Sequence, residues 1–329
     1  MKTYHVTLDE TRCTGCGYCV HFCPRACLQI NIDHISNGGF ALPSVSNGGK
    51  CNACGTCVRM CPHWALQVQS STGGRTKTSI VQHLLTGEPP LAGCAGCQHP
   101  IVGRIIGEAV EELGCNERIS AFEGIPCSIS SVFGTDFGQK TAHDENVLDL
   151  ASAAKRHNPE AMVVAVAGYW GQADFSFDIS SFVKTLIRGE NLTVILCNTS
   201  FYGPRDQRPV PAGEPIEGQL EPITQIGPSG GRQIIREGHP LHLAELAATF
   251  AGVTYSARGT VSSLKDYHLT KNLIKTACQK QLDSLGLSFV EVLCICCDGA
   301  YSSPLESLKW INDKMVPQFP LGEFKNILP

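Results

Sequence analysis

Val163–Asp174 reads VVAVAGYWGQAD. The apolar run up to Gly168 has no polar alternation, the pattern of a strand covered on both faces. Such a strand belongs to a parallel sheet with helices on either side. The glycine opens a turn of the kind that meets phosphate. Tyr169 and Trp170 then follow where small or acidic residues are expected.

The same alternation extends outward from this stretch. HPIVGRIIGEAVEELG places Ile101, Ile105, Ile106, Ala109, Val110 and Leu113 on one helical face and stops at Gly114. SSFVKTLIRGENL is a helix ended by Gly189, and LTVILCN is a second buried strand. AELAATFAG, VTYSARG and FVEVLCICC continue the series. Ligands of such sheets bind at the carboxyl ends of strands, where Gly168 and Asn198 stand.

The chain has 329 residues, of which 43% are hydrophobic and 17% charged, so it is long enough for two domains and a large core. A net charge of −4 gives no electrostatic case for nucleic acid. No apolar run reaches the ~20 residues of a membrane span, and MKTYHVTLDE has no apolar signal core. A cytoplasmic chain is the expectation.

Eighteen cysteines dominate the composition. Most lie two or three residues apart, a spacing that converges on metal more readily than it forms disulfides. Cys13–Ile30, CTGCGYCVHFCPRACLQI, aligns without a gap with Cys51–Val68, CNACGTCVRMCPHWALQV. The unit is C-x2-C-x2-C-x3-C-P. Three cysteines on one tight loop reach three irons of a cubane, and the fourth ligand arrives from elsewhere. Structural zinc takes ligands as two pairs and fits these triplets poorly.

The duplicated unit, over about residues 1–70, resembles bacterial two-cluster ferredoxins. In that fold the fourth ligand comes from the other half. The resemblance implies one [4Fe-4S] cluster on Cys13, Cys16, Cys19 and Cys61, and a second on Cys51, Cys54, Cys57 and Cys23. Cys27, aligned with Ala65, is read as a small buried hydrophobe.

A second resemblance covers about residues 91–320. GCAGC before an apolar helix, then EGIPCS, a strand ending in a glycine loop, NTSFYG and VEVLCICC follow one another as in 2-oxoacid:ferredoxin oxidoreductases. The likeness is to their thiamine-diphosphate-binding beta subunit. It implies a third cluster on Cys94, Cys97, Cys127 and Cys296, with Cys294 and Cys297 as alternative ligands. Cys115, Cys197 and Cys278 are expected in the core.

In that family the glycine loop is Gly-Asp-Gly, whose aspartate binds the Mg²⁺ that carries the diphosphate. Here the triplet is Gly168-Tyr169-Trp170. Tyr169 is a poor replacement for a carboxylate, and Trp170 has no metal-binding atom. Asp174 lies deeper in the following segment. Asn198, Thr199 and Tyr202 keep the family's downstream segment, but YGPRDQRP replaces its Thr-Gly-x-Gln turn. Arg205 and Arg208 offer guanidinium forks suited to phosphate, with solvated loop arginines as the plain alternative. His143, in TAHDEN, is read as a packed or surface histidine.

The expected architecture is an α/β parallel sheet of the thiamine-enzyme type with helices on both faces. A small α+β ferredoxin domain precedes it: residues 1–75, a linker at 76–90, then 91–329. The resemblance implies an oxidoreductase subunit that passes electrons through three [4Fe-4S] clusters to ferredoxin or another acceptor. Alpha- and gamma-type subunits would be its partners, and the glutamate that activates thiamine would come from one of them. A non-catalytic conduit that keeps the fold, and a pocket for another anionic cofactor, remain as alternatives. No catalytic residue is assigned. Tyr169→Asp combined with Trp170→Gly is expected to create or strengthen Mg²⁺-dependent thiamine diphosphate binding, measured by calorimetry. No gain would show that the loop is not what sets binding.

Overall fold

The computed structural model describes residues 4–46, 50–70, 95–115, 118–124, 140–141, 146–168, 179–199, 241–295 and 303–328. In the N-terminal part, β1 (Tyr4–Leu8) pairs antiparallel with β4 (Leu66–Ser70), bringing Val6 opposite Val68. Between them lie the one-turn helices α1 (Tyr18–His21) and α2 (Thr56–Arg59) and a hairpin of β2 (Leu28–Ile35) and β3 (Ala41–Val45). The duplication is written into the backbone. Gly17 and Gly55 precede the two helices at φ 78° and 73°. The aligned pairs Gly15/Ala53 and Ala26/Trp64 also have positive φ, at 64°/56° and 47°/51°. The left-handed region costs a residue with a side chain roughly 1–2 kcal/mol. Its use at Ala26, Ala53 and Trp64 marks a chain path set by where the neighbouring thiols must point.

The second part is built on parallel strands: β5 (Ile119–Glu123), β6 (Lys140–Thr141), β7 (Met162–Gly168), β8 (Thr193–Asn198), β9 (Val253–Thr260) and β10 (Leu287–Leu293). An antiparallel edge strand, β11 (Gly322–Asn326), completes a seven-stranded sheet in the order β11-β9-β10-β8-β7-β5-β6. Every residue of β7, β8, β9 and β10 is buried. Helices α3 (His99–Glu112) and α7 (Leu264–Leu282) cover one face. The other face carries α4 (Val147–His157), α5 (Ile179–Arg188) and α6 (Leu243–Ala248). This is the α/β class expected from the apolar strands.

The next described element after β8 is α6 on one face, and the next after β10 is α8 (Pro304–Trp310) on the other. In sheets of this class ligands bind at the carboxyl ends of the strands. Asn198 and Leu293 are register partners at that edge, and Gly168 is opposite Cys197.

A charged network crosses the sheet near this edge. Arg258, on β9, is fully buried. Its Nε donates to Glu291 at 2.8 Å, and its Nη1 donates to Glu245 at 2.8 Å and to the Pro320 carbonyl at 2.9 Å. Phe319 and Phe324 lie 5.4 and 5.0 Å from the guanidinium carbon. Burial pushes the Glu245 carboxyl up, but the Arg258 hydrogen bonds outweigh it and hold the group below its usual value. The stability this contributes is present above the unfolded carboxylate's pKa and is lost as pH falls through the folded one.

Helix α3 departs from the expectation of a single apolar face. Ile101, Ile105, Ile106 and Ala109 are buried as expected, but Arg104 and Glu108 are buried as well. The N-terminal part covers them. The Arg104 guanidinium carbon is 5.3 Å from the centre of the Trp64 ring, and Arg59 is 4.0 Å from Glu108. Lys271 of α7 adds a 3.0 Å bond to Glu108. Met60, Tyr18 and Trp64 belong to the same apolar cluster as α3. Of the expected boundaries, 76–90 lies outside the described residues.

Replacing Arg258 with Leu strands the fully buried Glu291 without its cation. Urea unfolding is expected to show a loss of about 3–5 kcal/mol. The loss should shrink at lower pH, where protonation of Glu245 removes the contribution that the Arg258 hydrogen bonds make in the wild type. An unchanged midpoint at neutral pH would show that the network carries no net stability.

Candidate functional site

Two cavities in the N-terminal part hold the duplicated cysteines. One is lined by Cys13, Cys16, Cys19 and Cys61 together with Gly15, Gly17 and Leu66. The other is lined by Cys23, Cys51, Cys54 and Cys57 together with Cys27, Gly55 and Val68. The structure thus brings together both quartets expected from the sequence, each with its fourth thiol from the opposite copy. The turn at φ 78° before Cys19 and the one at φ 73° before Cys57 aim the thiols of each loop inward.

The electrostatics of these cavities suit a cationic core. Burial pushes the Cys16 and Cys57 thiols up to about 12 each and raises Cys13, Cys19 and Cys61 as well. A buried thiol holds its proton unless a cation takes its place, and metal coordination deprotonates it outright. Cys23 is the contrast. Burial opposes its thiolate, but the backbone N–H groups of Cys27 and Arg25 outweigh that and hold it below its ordinary value. Each Cys-Pro thiol receives an N–H four residues on: Cys27 to Cys23 at 3.3 Å and Ala65 to Cys61 at 3.3 Å. Donors of this kind to cluster sulfurs raise a reduction potential.

Of the third expected quartet, Cys97 is described and buried, while Cys94, Cys127 and Cys296 lie outside the described residues, as does Cys297. The segment carrying Cys97 is tied to the end of β10. Gln98 N donates to the Ile295 carbonyl at 3.1 Å, and Ile295 N donates to Gln98 Oε1 at 3.0 Å. The residue after Cys97 is therefore bonded to the residue before Cys296. Tyr18, between Cys16 and Cys19, donates its hydroxyl to the Gly96 carbonyl at 2.9 Å. Gly96 sits at φ 81°, and a Cβ there would fall 2.5 Å from Pro304 Cβ, so only glycine lets the loop approach. Sequence reading gave Tyr18, Trp64 and Arg104 no role, because nothing in the repeat says which surface packs on α3.

At the carboxyl edge, Gly168, Asn198 and Thr199 are described and buried. Tyr169, Trp170, Asp174, Tyr202, Arg205, Arg208 and His143 lie outside the described residues. The Asn198 amide donates to Glu291 at 2.6 Å, which engages it in the Arg258 network. Cys115, Cys197 and Cys278 are in the core, and Cys27 is buried at the wall of the second cavity.

Residues 12–65 match the family model of a 4Fe-4S dicluster domain. The chain is similar to "Ketoisovalerate oxidoreductase subunit VorA" of Methanothermobacter marburgensis, 27% identical over 239 residues, which is 71% of this chain and 47% of that protein. The protein of the same name from Methanothermobacter thermautotrophicus is also 27% identical, with the same coverage. The chain thus spans about half the length of the curated relatives it matches. Among solved structures, a 2-oxoglutarate:ferredoxin oxidoreductase from Magnetococcus marinus aligns with a TM-score of 0.49 at 20% identity, covering 76% of this chain and 85% of that one. Among the described residues no helix is long and apolar enough to cross a membrane.

Cys61→Ser and Cys23→Ser are expected to act on different cavities. Each should remove about four irons, and the electron paramagnetic resonance signal of the other cluster should persist. Loss of both signals from either variant would show that the two quartets are not independent.

Proposed function

We propose that the chain is the iron-sulfur subunit of a 2-oxoacid:ferredoxin oxidoreductase-type complex. Electrons leave a pocket at the carboxyl edge of the sheet and pass to a third [4Fe-4S] cluster on Cys94, Cys97, Cys127 and Cys296. From there they cross the two N-terminal clusters to ferredoxin or another acceptor. Alpha- and gamma-type subunits complete the complex, which works in the cytoplasm. The functional units are residues 1–75 and 91–329, joined by 76–90.

The observation that carries this reading is the hydrogen bond from Tyr18 to Gly96. It joins the loop of the first quartet to the loop of Cys97, one residue from a proposed ligand on either side. A conduit needs its carriers side by side in one rigid body. The shared apolar cluster of Tyr18, Met60, Trp64 and α3 supports that rigidity. The likeness to the ketoisovalerate oxidoreductase subunits supports the substrate class.

Whether the pocket does chemistry turns on thiamine diphosphate with Mg²⁺. When bound, that cofactor supplies the carbanion chemistry that splits a 2-oxoacid. Gly168, Thr199, Tyr202, Arg205 and Arg208 would line its diphosphate end, with Asn198 beside them. One observation favours the second reading, a conduit that keeps the fold without the cofactor. The Asn198 amide is turned into Glu291.

Anaerobically purified complex is expected to contain about twelve irons per chain, and Cys127→Ser about four fewer. Iron near eight, unchanged by that substitution, would remove the third cluster. Extracted thiamine diphosphate near one per chain would establish the catalytic reading, and none would establish the conduit.

A further inference from the structure

Cys197 is the penultimate residue of β8 and faces α3, Cys294 follows β10 on the same face, and His99 begins α3. All three are buried, with no more than 1% exposed. One ring nitrogen of His99 and the two sulfurs lie within 4.8 Å of one another. The backbone fixes this meeting. Cys294 N donates to the Asn198 carbonyl at 3.0 Å, which sets the ends of β8 and β10 together. The Gln98–Ile295 pair of hydrogen bonds clamps the start of α3 over them.

We propose that His99, Cys197 and Cys294 form a mononuclear site for a borderline-soft divalent cation of the zinc class, separate from the iron-sulfur clusters. Two thiolates and an imidazole are the donor set such a cation selects. Zinc–sulfur and zinc–nitrogen bonds of about 2.3 and 2.0 Å put tetrahedral donors roughly 3.5 Å apart, so the cluster closes on an ion by side-chain rotation and about an ångström of contraction. Oxygen-seeking Mg²⁺ gains nothing from these ligands. Three protein donors leave one position for an outside ligand. The site lies at the carboxyl ends of β8 and β10, the edge at which sheets of this class receive ligands. The centre would lie beside Gly168, the register partner of Cys197. Cys97, whose sulfur is 3.5 Å from His99 Nδ1, connects this centre to the loop of the proposed third cluster. The site needs nothing from that cluster or from thiamine.

The test uses the holoprotein with its iron-sulfur clusters in place, probed with Zn²⁺ and with Co²⁺. Wild type is expected to bind about one Zn²⁺ per chain beyond its iron, and the Co²⁺ form to show thiolate-to-cobalt charge transfer with intense tetrahedral ligand-field bands. Cys197→Ser and Cys294→Ser should abolish those bands and lower zinc at least tenfold with iron unchanged. Cys278→Ser, a buried thiol on α7 away from the trio, should leave zinc and iron as they were. Octahedral cobalt spectra, or no stoichiometric Zn²⁺ in wild type, would overturn the proposal without reference to any variant's folding. Iron lost together with zinc in Cys294→Ser would overturn it in favour of cluster ligation. Zinc unchanged in both serine variants would reduce the trio to packed core.

Discussion

Helix α3 must satisfy two partners at once, and the arrangement of both halves follows from that. Its aliphatic face closes the core over the sheet, and its polar face, Arg104 and Glu108, lies under Trp64 and Arg59. A buried guanidinium is costly unless its charge is met. Burial draws the Arg104 pKa down, while Tyr267, Cys61 and Glu108 oppose that. A helix so held cannot tilt without exposing apolar surface on one side or an ion on the other. The loop before it, carrying Cys97, inherits that fixity, as does the neighbouring end of β10.

Much of this was legible in the sequence where chemistry and period coincide. The gapless repeat from Cys13 and from Cys51 gave the two triplets, and the resemblance to two-cluster ferredoxins implied which Cys-Pro thiol completes each. The apolar runs ending at Gly168 and Asn198 named the parallel strands and the edge where they finish. What escaped was tertiary. Arg104 and Glu108 sit at ordinary polar positions of an amphipathic helix, and the pattern reads the same whether water or a second domain covers them. Cys197 read as core for the same reason. Its place beside Cys294 and His99 depends on the register of β8 against β10, which no local pattern encodes.

The carboxyl edge divides its residues between the two faces of the sheet, as strand alternation requires. Asn198 turns towards Glu291 and the Arg258 network, whereas Cys197, its neighbour, turns towards α3. One face is thus governed by hard charge and hydrogen bonds and the other by sulfur. A ligand arriving at the edge meets two chemistries a few ångströms apart. Which one it engages depends on whether it offers oxygen or a soft centre.

The duplicated cysteine units are alike in sequence and unlike in stiffness. At the aligned left-handed positions, Trp64 is pinned by the stacking of Arg104, while Ala26 is exposed to solvent. The turn behind Cys61 is therefore braced by another domain, and the turn behind Cys23 by local backbone alone. Cys54, in the second quartet, is exposed, whereas no thiol of the first quartet is. Oxygen and chelators would find the two cysteine sites unequal, with iron leaving the Cys23 side first and the Cys61 side holding it longer.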